Sequence, residues 1–244
     1  DDCWGLDVYS KVACSSSVDN LIPGQFGYIF DIEDAVEACS ESCHQVGCMR
    51  ILYVITGLGV GGAERVVVGL ADRFAARGDE IAIAYLRGPA LMQPSDRRVR
   101  LYNLEITDVW SLMRGYFRLR RIVGVLQPDV VHSHLVHANI LCRLLRLTTS
   151  ISRLVTTAHN TNEESSLRMS TYRWTNRFAD FTTNVSDEAV AAFEQARAVK
   201  PGQMVTIHNG VDTGVYRRSP DAGEAVRREL QVPEDERLIV ALGR

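Results

Sequence analysis

The 244-residue sequence has no apolar run approaching the roughly 20 residues needed to span a bilayer, and it does not open with a basic stretch leading into an apolar one. Neither a membrane-crossing helix nor a secretory leader is therefore expected. Bases are nearly absent from residues 1 to 48, where nine carboxylates face the single base Lys11 for a net of −8, while the rest holds 26 bases against 21 acids. Cysteine is nearly absent from that remainder, which has only Cys142, against Cys3, Cys14, Cys39, Cys43 and Cys48 before it. Two segments of different origin fit this division better than one domain. A net charge of −3 and the absence of any recognised nucleic-acid motif exclude a nucleic-acid partner. Overall, 46% hydrophobic and 23% charged residues describe an ordinary folding chain.

The boundary falls near Met49, where Met49-Arg50 leads into the strand-like run Ile51-Leu52-Tyr53-Val54-Ile55. Residues 1–48 are read as an acidic, cysteine-rich appendage, residues 49–235 as the main domain and residues 236–244, "ERLIVALGR", as the opening strand of a further one. Within the appendage, "DIEDAVEACSESCHQVGC" places Cys39 and Cys43 on one face of a short helix capped by Asp31. That spacing, with Cys48 following, resembles the cysteine-bearing helix of PAN/apple modules, and the plainer alternative is a fused leader. His44 with these thiols lacks the separations of the usual zinc knuckles.

After Met49 the chain alternates. Strand candidates lie at 50–56, 80–86, 129–134, 153–158, 180–186 and 203–208, and helical periodicity fills 63–77, 109–126, 136–147, 168–178 and 187–198. This predicts a Rossmann-like α/β fold, a mostly parallel sheet with helices on both faces, whose ligands collect at the carboxyl ends of the strands. The first strand empties into Gly57-Leu58-Gly59-Val60-Gly61-Gly62-Ala63-Glu64, a loop whose backbone N–H groups suit an anion or serve simply as a tight turn. Its spacing is not the dinucleotide fingerprint, and neither Asp72 nor Asp79 ends the second strand as a ribose contact would require.

Histidines mark the later strand ends. In "PDVVHSHLVHANILCRLL", His132 and His134 are read as facing opposite sides of the sheet, with His132 a core residue and His134 nearer the ligand edge. His137 falls on the next helix, and no carboxylate or thiol completes a metal set with these three. "VTTAHNTNEE" brings His159, Asn160 and Glu163 to the same edge, and "MVTIHNGVDTGVY" adds His208, Asn209, Gly210 and Asp212, with Asn209-Gly210 also a good turn. Ser186 is read as a helix cap backed by Asp187 and Glu188, and the sequon Asn184-Val185-Ser186 at a strand end is not expected to be glycosylated.

Taken together, "GGAE" at 61–64, "PDVVHSH" at 128–134, "TAHN" at 157–160, "NVSDEAV" at 184–190 and "IHNGVD" at 207–212 resemble the N-terminal half of the GT-B, family-4 type glycosyltransferases over residues 50–244. These retaining enzymes move a sugar from a nucleotide-sugar to a lipid carrier, a lipopolysaccharide or another glycan. The resemblance implies that Gly61 and Gly62, with Glu64 beside them, lie against the donor diphosphate or the acceptor, that His134 positions and polarises at the reaction centre, and that His159, with Asn160, borders the acceptor. Asn209 is carried over as a further substrate contact. No cofactor or metal is implied. The paired glutamates of the family's second domain do not occur in this sequence, so the 244-residue chain is expected not to catalyse transfer alone.

In "VWSLMRGYFRLRRIVGVLQ", Val109 to Gln127, arginines interleave with large apolar residues. The stretch suits a surface helix on anionic lipid, with Arg143 and Arg146 extending the patch, or an amphipathic helix with a solvated arginine face. Two functions follow. One is an acceptor-side half of a cytoplasmic glycosyltransferase of cell-envelope or exopolysaccharide synthesis, peripheral on the membrane. The other is a non-catalytic, disulfide-stapled binding module carried on a degenerate α/β domain, which would show paired rather than free thiols.

Overall fold

Strand β1 (Arg50–Ile55) forms because Ile51-Leu52-Tyr53-Val54-Ile55 combines β-branched, aliphatic and aromatic residues without polar alternation, the pattern of a strand covered on both faces. In the computed structural model the described residues are 48–161, 166–211, 213, 217–233 and 236–240, with the side chains of 166 and 167 excluded. The readings made for residues 1–47, including the PAN/apple likeness and the zinc alternative, and for Glu163 and Asp212, lie outside them.

From β1 the chain runs through α1 (Gly62–Ala76), β2 (Glu80–Tyr85), β3 (Arg100–Asn103), α2 (Val109–Leu126), β4 (Val130–His134) and α3 (Val136–Leu145). It continues with β5 (Leu154–Thr157), α4 (Ser166–Thr175), a 3-10 turn (Asn176–Phe178), β6 (Phe181–Asn184), α5 (Asp187–Gln195) and β7 (Val205–Thr206). All strand pairs are parallel, in the order β3-β2-β1-β4-β5-β6-β7. The chain therefore builds outward from β1 in one direction, and α2 carries it back so that β4 lies on the other side. The connections leaving the carboxyl ends of the paired strands β1 and β4 run to opposite sides at this reversal, the place where such sheets bind ligands.

The strands have apolar partners on both faces. Ile51, Tyr53 and Ile55 pack with Val67, Ala71 and Phe74 of α1, while Leu52 and Val54 pack with Leu119 and Val123 of α2 and Leu141, Cys142 and Leu145 of α3. Met169, Tyr172 and Phe193 gather α4 and α5 into a third cluster. Helix α2 starts on a reciprocal cap, Ser111 N donating to Asp108 Oδ1 at 2.8 Å and Asp108 N to Ser111 Oγ at 2.8 Å. Gly115 lets this helix approach the preceding loop, since a methyl group there would overlap the Ile106 side chain and lie 3.3 Å from the Leu104 carbonyl oxygen.

The sequence reading passed over β3 and over a ten-residue helix further on, α6 (Pro220–Glu229). Neither carries much buried apolar surface: β3 has no fully buried residue, and α6, a mostly charged and polar helix, buries none. The described residues divide into two compact units, with the division between Asn209 and Gly210. In the second, Ser219 caps α6, Arg227 donates to the carbonyls of Pro233 and Glu236, and 236–240 form no strand.

Arg143 and Arg146 do not extend a surface patch. Arg143 is wholly buried, its guanidinium donating to Thr156 Oγ1 at 2.7 Å and Asn176 Oδ1 at 3.0 Å and stacking 4.0 Å from the Tyr172 ring. It ties α3 to β5, α4 and the 3-10 turn. Arg146 is held by Asp180 and the Phe178 carbonyl. Arg143 faces inward while Arg146 stays partly exposed but ion-paired, a difference that helical periodicity alone does not disclose.

Candidate functional site

The centre of the site is a pair of imidazoles at the ends of neighbouring strands. His134 ends β4, His159 lies two residues past the end of β5, and their Nδ1 and Nε2 atoms share a hydrogen bond of 3.0 Å. Parallel pairing brings them together, because His134 is in register with Thr157. His132 does not face the opposite side as expected. Its ring centroid is 4.1 Å from that of His134, because residues two apart on a strand share a face. The imidazole of His132 shares a 2.7 Å hydrogen bond with Thr157 Oγ1, which in turn bonds Thr183 Oγ1 at 2.7 Å, so a polar row crosses β4, β5 and β6. Tyr53 of β1 lies beside both rings, at 5.8 and 6.0 Å between centroids.

Burial decides the charge of these groups. Loss of solvent pushes His132 down to about 3, His159 to about 4 and His134 well below the usual histidine value, with mutual repulsion between imidazolium forms adding to the effect at His132 and His134. All three are neutral near pH 7. A neutral imidazole offers one donor and one acceptor. His134 engages Nδ1 with His159, whereas its buried Nε2 has no hydrogen-bond partner. Such an orphan typically costs about 1–3 kcal/mol, a penalty that a ligand hydroxyl would remove only after neighbouring side chains part, since the atom is closed to solvent.

The glycine loop follows β1, whose Ile55 is paired with His134, so the loop starts one strand spacing from the imidazole. Gly61 is the N-cap of α1 without a side-chain cap, and the Glu64 carboxylate folds back over it so closely that a Cβ at Gly61 would overlap Glu64 Oε2. Gly62, the first residue of the helix, has open space where a Cβ would stand. Helix α3, which starts beside His134, is also uncapped: its N-cap is Leu135, at φ 71° and ψ 154° in a region that favours glycine. By contrast, side chains cap α2, α5 and α6, the Ser186 cap of α5 as expected. The two helices flanking the topological reversal thus have no side-chain cap from their N-cap residues, a setting that suits an anion, although at α1 the Glu64 carboxylate already lies over Gly61.

The remaining candidates lie farther along the sheet edge. Asn160 is exposed, and its carbonyl accepts from Asn184 Nδ2 at 3.2 Å. Asn184 itself is fully buried, consistent with no glycan being attached there. Asn209 is exposed beyond the edge strand β7, three strands from β4, which at the usual spacing is about 14 Å. The structure therefore joins His134 to His159, places the glycine loop beside them, and leaves Asn209 apart. Sequence reasoning missed Thr157 and Thr183, whose alternation with Thr156 and Thr182 was the available signal, and Asn139. The last residue is fully buried in α3, donates to the Thr157 carbonyl at 3.0 Å and accepts from Ser133 Oγ at 2.7 Å, fixing the ends of β4 and β5. Among the described residues no group of three or more histidine, cysteine, aspartate or glutamate side chains is placed to hold a metal ion.

The sequence profile of Glycosyltransferase Family 4 matches residues 60–215. Among solved structures, Anabaena HepE in complex with UDP-glucose is 20% identical, with a TM-score of 0.59 over 75% of this chain and 50% of that one. Sucrose-phosphate synthase from Thermosynechococcus elongatus is 16% identical, with a TM-score of 0.61 over 77% of this chain and 54% of the other. A glycosyltransferase from Rickettsia africae is 15% identical, with a TM-score of 0.62 over 77% and 51%. At these identities the likeness is one of fold, and the chain spans about half the length of these structures. No curated protein sequence gives a significant match.

Proposed function

The chain belongs to Glycosyltransferase Family 4, and from that premise we propose that it forms the acceptor-side half of a two-domain GT-B enzyme that transfers a sugar, with retention, from a nucleotide-sugar to a lipid-linked or glycan acceptor. The setting is the cytoplasmic face of the membrane, in cell-envelope or exopolysaccharide synthesis. The observation that carries the reading is the neutral His134–His159 pair, with His134 Nε2 unpartnered, beside two uncapped helix N-termini.

In this reading the backbone N–H groups at Gly61 and Gly62 and at the start of α3 stabilise phosphate charge. His134 Nε2 orients and polarises the acceptor hydroxyl. Because its imidazole resists protonation, it is not the final store for the acceptor's proton; the leaving phosphate takes it. His159 fixes the His134 ring through their shared hydrogen bond, and Asn160 lies toward the acceptor. The donor-sugar contacts and the opposite wall of the cleft belong to a second domain, in keeping with a chain that spans half of each similar structure. The 244-residue chain alone is accordingly inactive and needs no metal.

The test is a histidine-resolved NMR titration of the chain with UDP-glucose, UDP and a panel of bacterial glycans, combined with an assay for UDP release. The expected result is movement of the His134 and His159 resonances without turnover, and loss of the His159 response in His134→Ala. Absence of any histidine response across the panel would defeat the site, and turnover by the isolated chain would defeat the half-enzyme assignment.

A further inference from the structure

Helix α2 buries one stripe and leaves the opposite one uncovered. Ser111, Gly115, Leu119 and Val123 are buried, four residues apart. At about 100° per residue, the opposite pole carries Trp110, Met113 and Phe117, exposed by 82%, 54% and 55%. Arg114 and Arg121 flank this apolar row on one side and Arg120 on the other, and none of the three has an ion-pair partner among the described residues. Arg118, nearer the core, pairs with Glu105. No carboxylate occurs between Val109 and Gln127. Solvation explains an arginine face, but it does not explain an aromatic and a methionine row placed farthest from the core.

We propose that α2 docks flat on an anionic bilayer, and that the acceptor is therefore lipid-linked rather than a free glycan. The charge pattern selects the occupant: an apolar centre enters the acyl boundary while arginines on both flanks meet lipid phosphates. The helix does not cross the membrane, since no helix among the described residues is long and apolar enough to do so. Its position bears on chemistry. Following β3 in a parallel sheet, α2 begins at the carboxyl edge that carries His134 and His159 and runs back along the sheet. Its Trp110 end therefore brings that edge toward the lipid surface. The choice of a lipid-linked acceptor rests on the glycosyltransferase reading, whereas the docking itself does not.

The test is flotation of the full 244-residue chain with vesicles of phosphatidylcholine alone and of phosphatidylcholine with phosphatidylglycerol. Binding is expected only to the anionic vesicles and is expected to weaken with salt. An arginine near such a surface contributes about fivefold, so the triple variant R114Q/R120Q/R121Q lowers partitioning by about a hundredfold, and W110S/F117S removes what persists at high salt. Absence of flotation, equal binding to neutral vesicles or undiminished binding by the triple variant would overturn the proposal. A concentration-dependent dimer in gel filtration that W110S/F117S dissolves would also overturn it by assigning the face to a second copy. The histidine titration with UDP-glucose on the unaltered chain separates the two readings: intact histidine responses without flotation on anionic vesicles sink only the membrane surface.

Discussion

Lowering the pH from 7 to 5 should destabilise this fold far more than its carboxylates can explain. The sign follows from the imidazoles. An unfolded histidine titrates near 6.5, whereas burial holds His132 at about 3, His159 at about 4 and His134 well below the usual range. Below pH 6.5 the unfolded chain therefore binds protons that the folded chain refuses, and stability falls as pH falls. The contribution is fully present above about pH 7 and is lost progressively toward the folded values. At about 1.4 kcal/mol per pH unit and group, His132 and His159 each remove about 2 kcal/mol by pH 5, about 4 kcal/mol together, and His134 acts in the same direction. A typical domain has only about 5–15 kcal/mol in total. Asp108 and Asp129, whose values are lowered by hydrogen bonds to Ser111 and Arg50, act in the same direction but in a more acidic window, losing their contributions below about pH 4. Urea unfolding at pH 7, 6 and 5 measures the effect. His132→Asn should remove about a third of the pH 7-to-5 loss, whatever it does to stability at pH 7. Equal stability at pH 7 and 5, or an undiminished slope in the variant, would refute the argument.

Two glycine substitutions should separate a ligand cradle from a packing contact. Gly61→Ala needs no unusual backbone angle, and the group it meets is the movable Glu64 carboxylate. It should therefore leave the melting temperature nearly unchanged while weakening nucleotide-sugar binding in calorimetry; full binding would show the loop to be only a turn. Gly115→Ala drives a methyl group into Ile106 and toward the Leu104 carbonyl. It should cost about 1–3 kcal/mol by overpacking, measured by urea unfolding, with the histidine resonances unmoved at pH 7.

The local rules were legible without coordinates. The apolar run of β1, the glycines after it, the Ser186 cap and the alternation of strands and helices followed from short stretches whose preferences agree with the tertiary fold. Even the shared face of His132 and His134 was within reach, because a strand has a period of two. The sequence also pointed to the ends of β1, β4 and β5 as the candidate site, since polar and glycine residues interrupt otherwise buried strands there.

What only the tertiary structure decided was which of these groups meet and in what charge state. Parallel register brought His134 against His159, a relation across 25 positions that no local period encodes. The order of strands put the reversal beside β1 and left Asn209 beyond the far edge. Burial turned Arg143 from a presumed surface cation into an internal tie and kept three imidazoles neutral. The physical reason is common to all of these: propensity and periodicity are properties of neighbours in sequence, whereas desolvation and hydrogen-bond partnership are properties of neighbours in space.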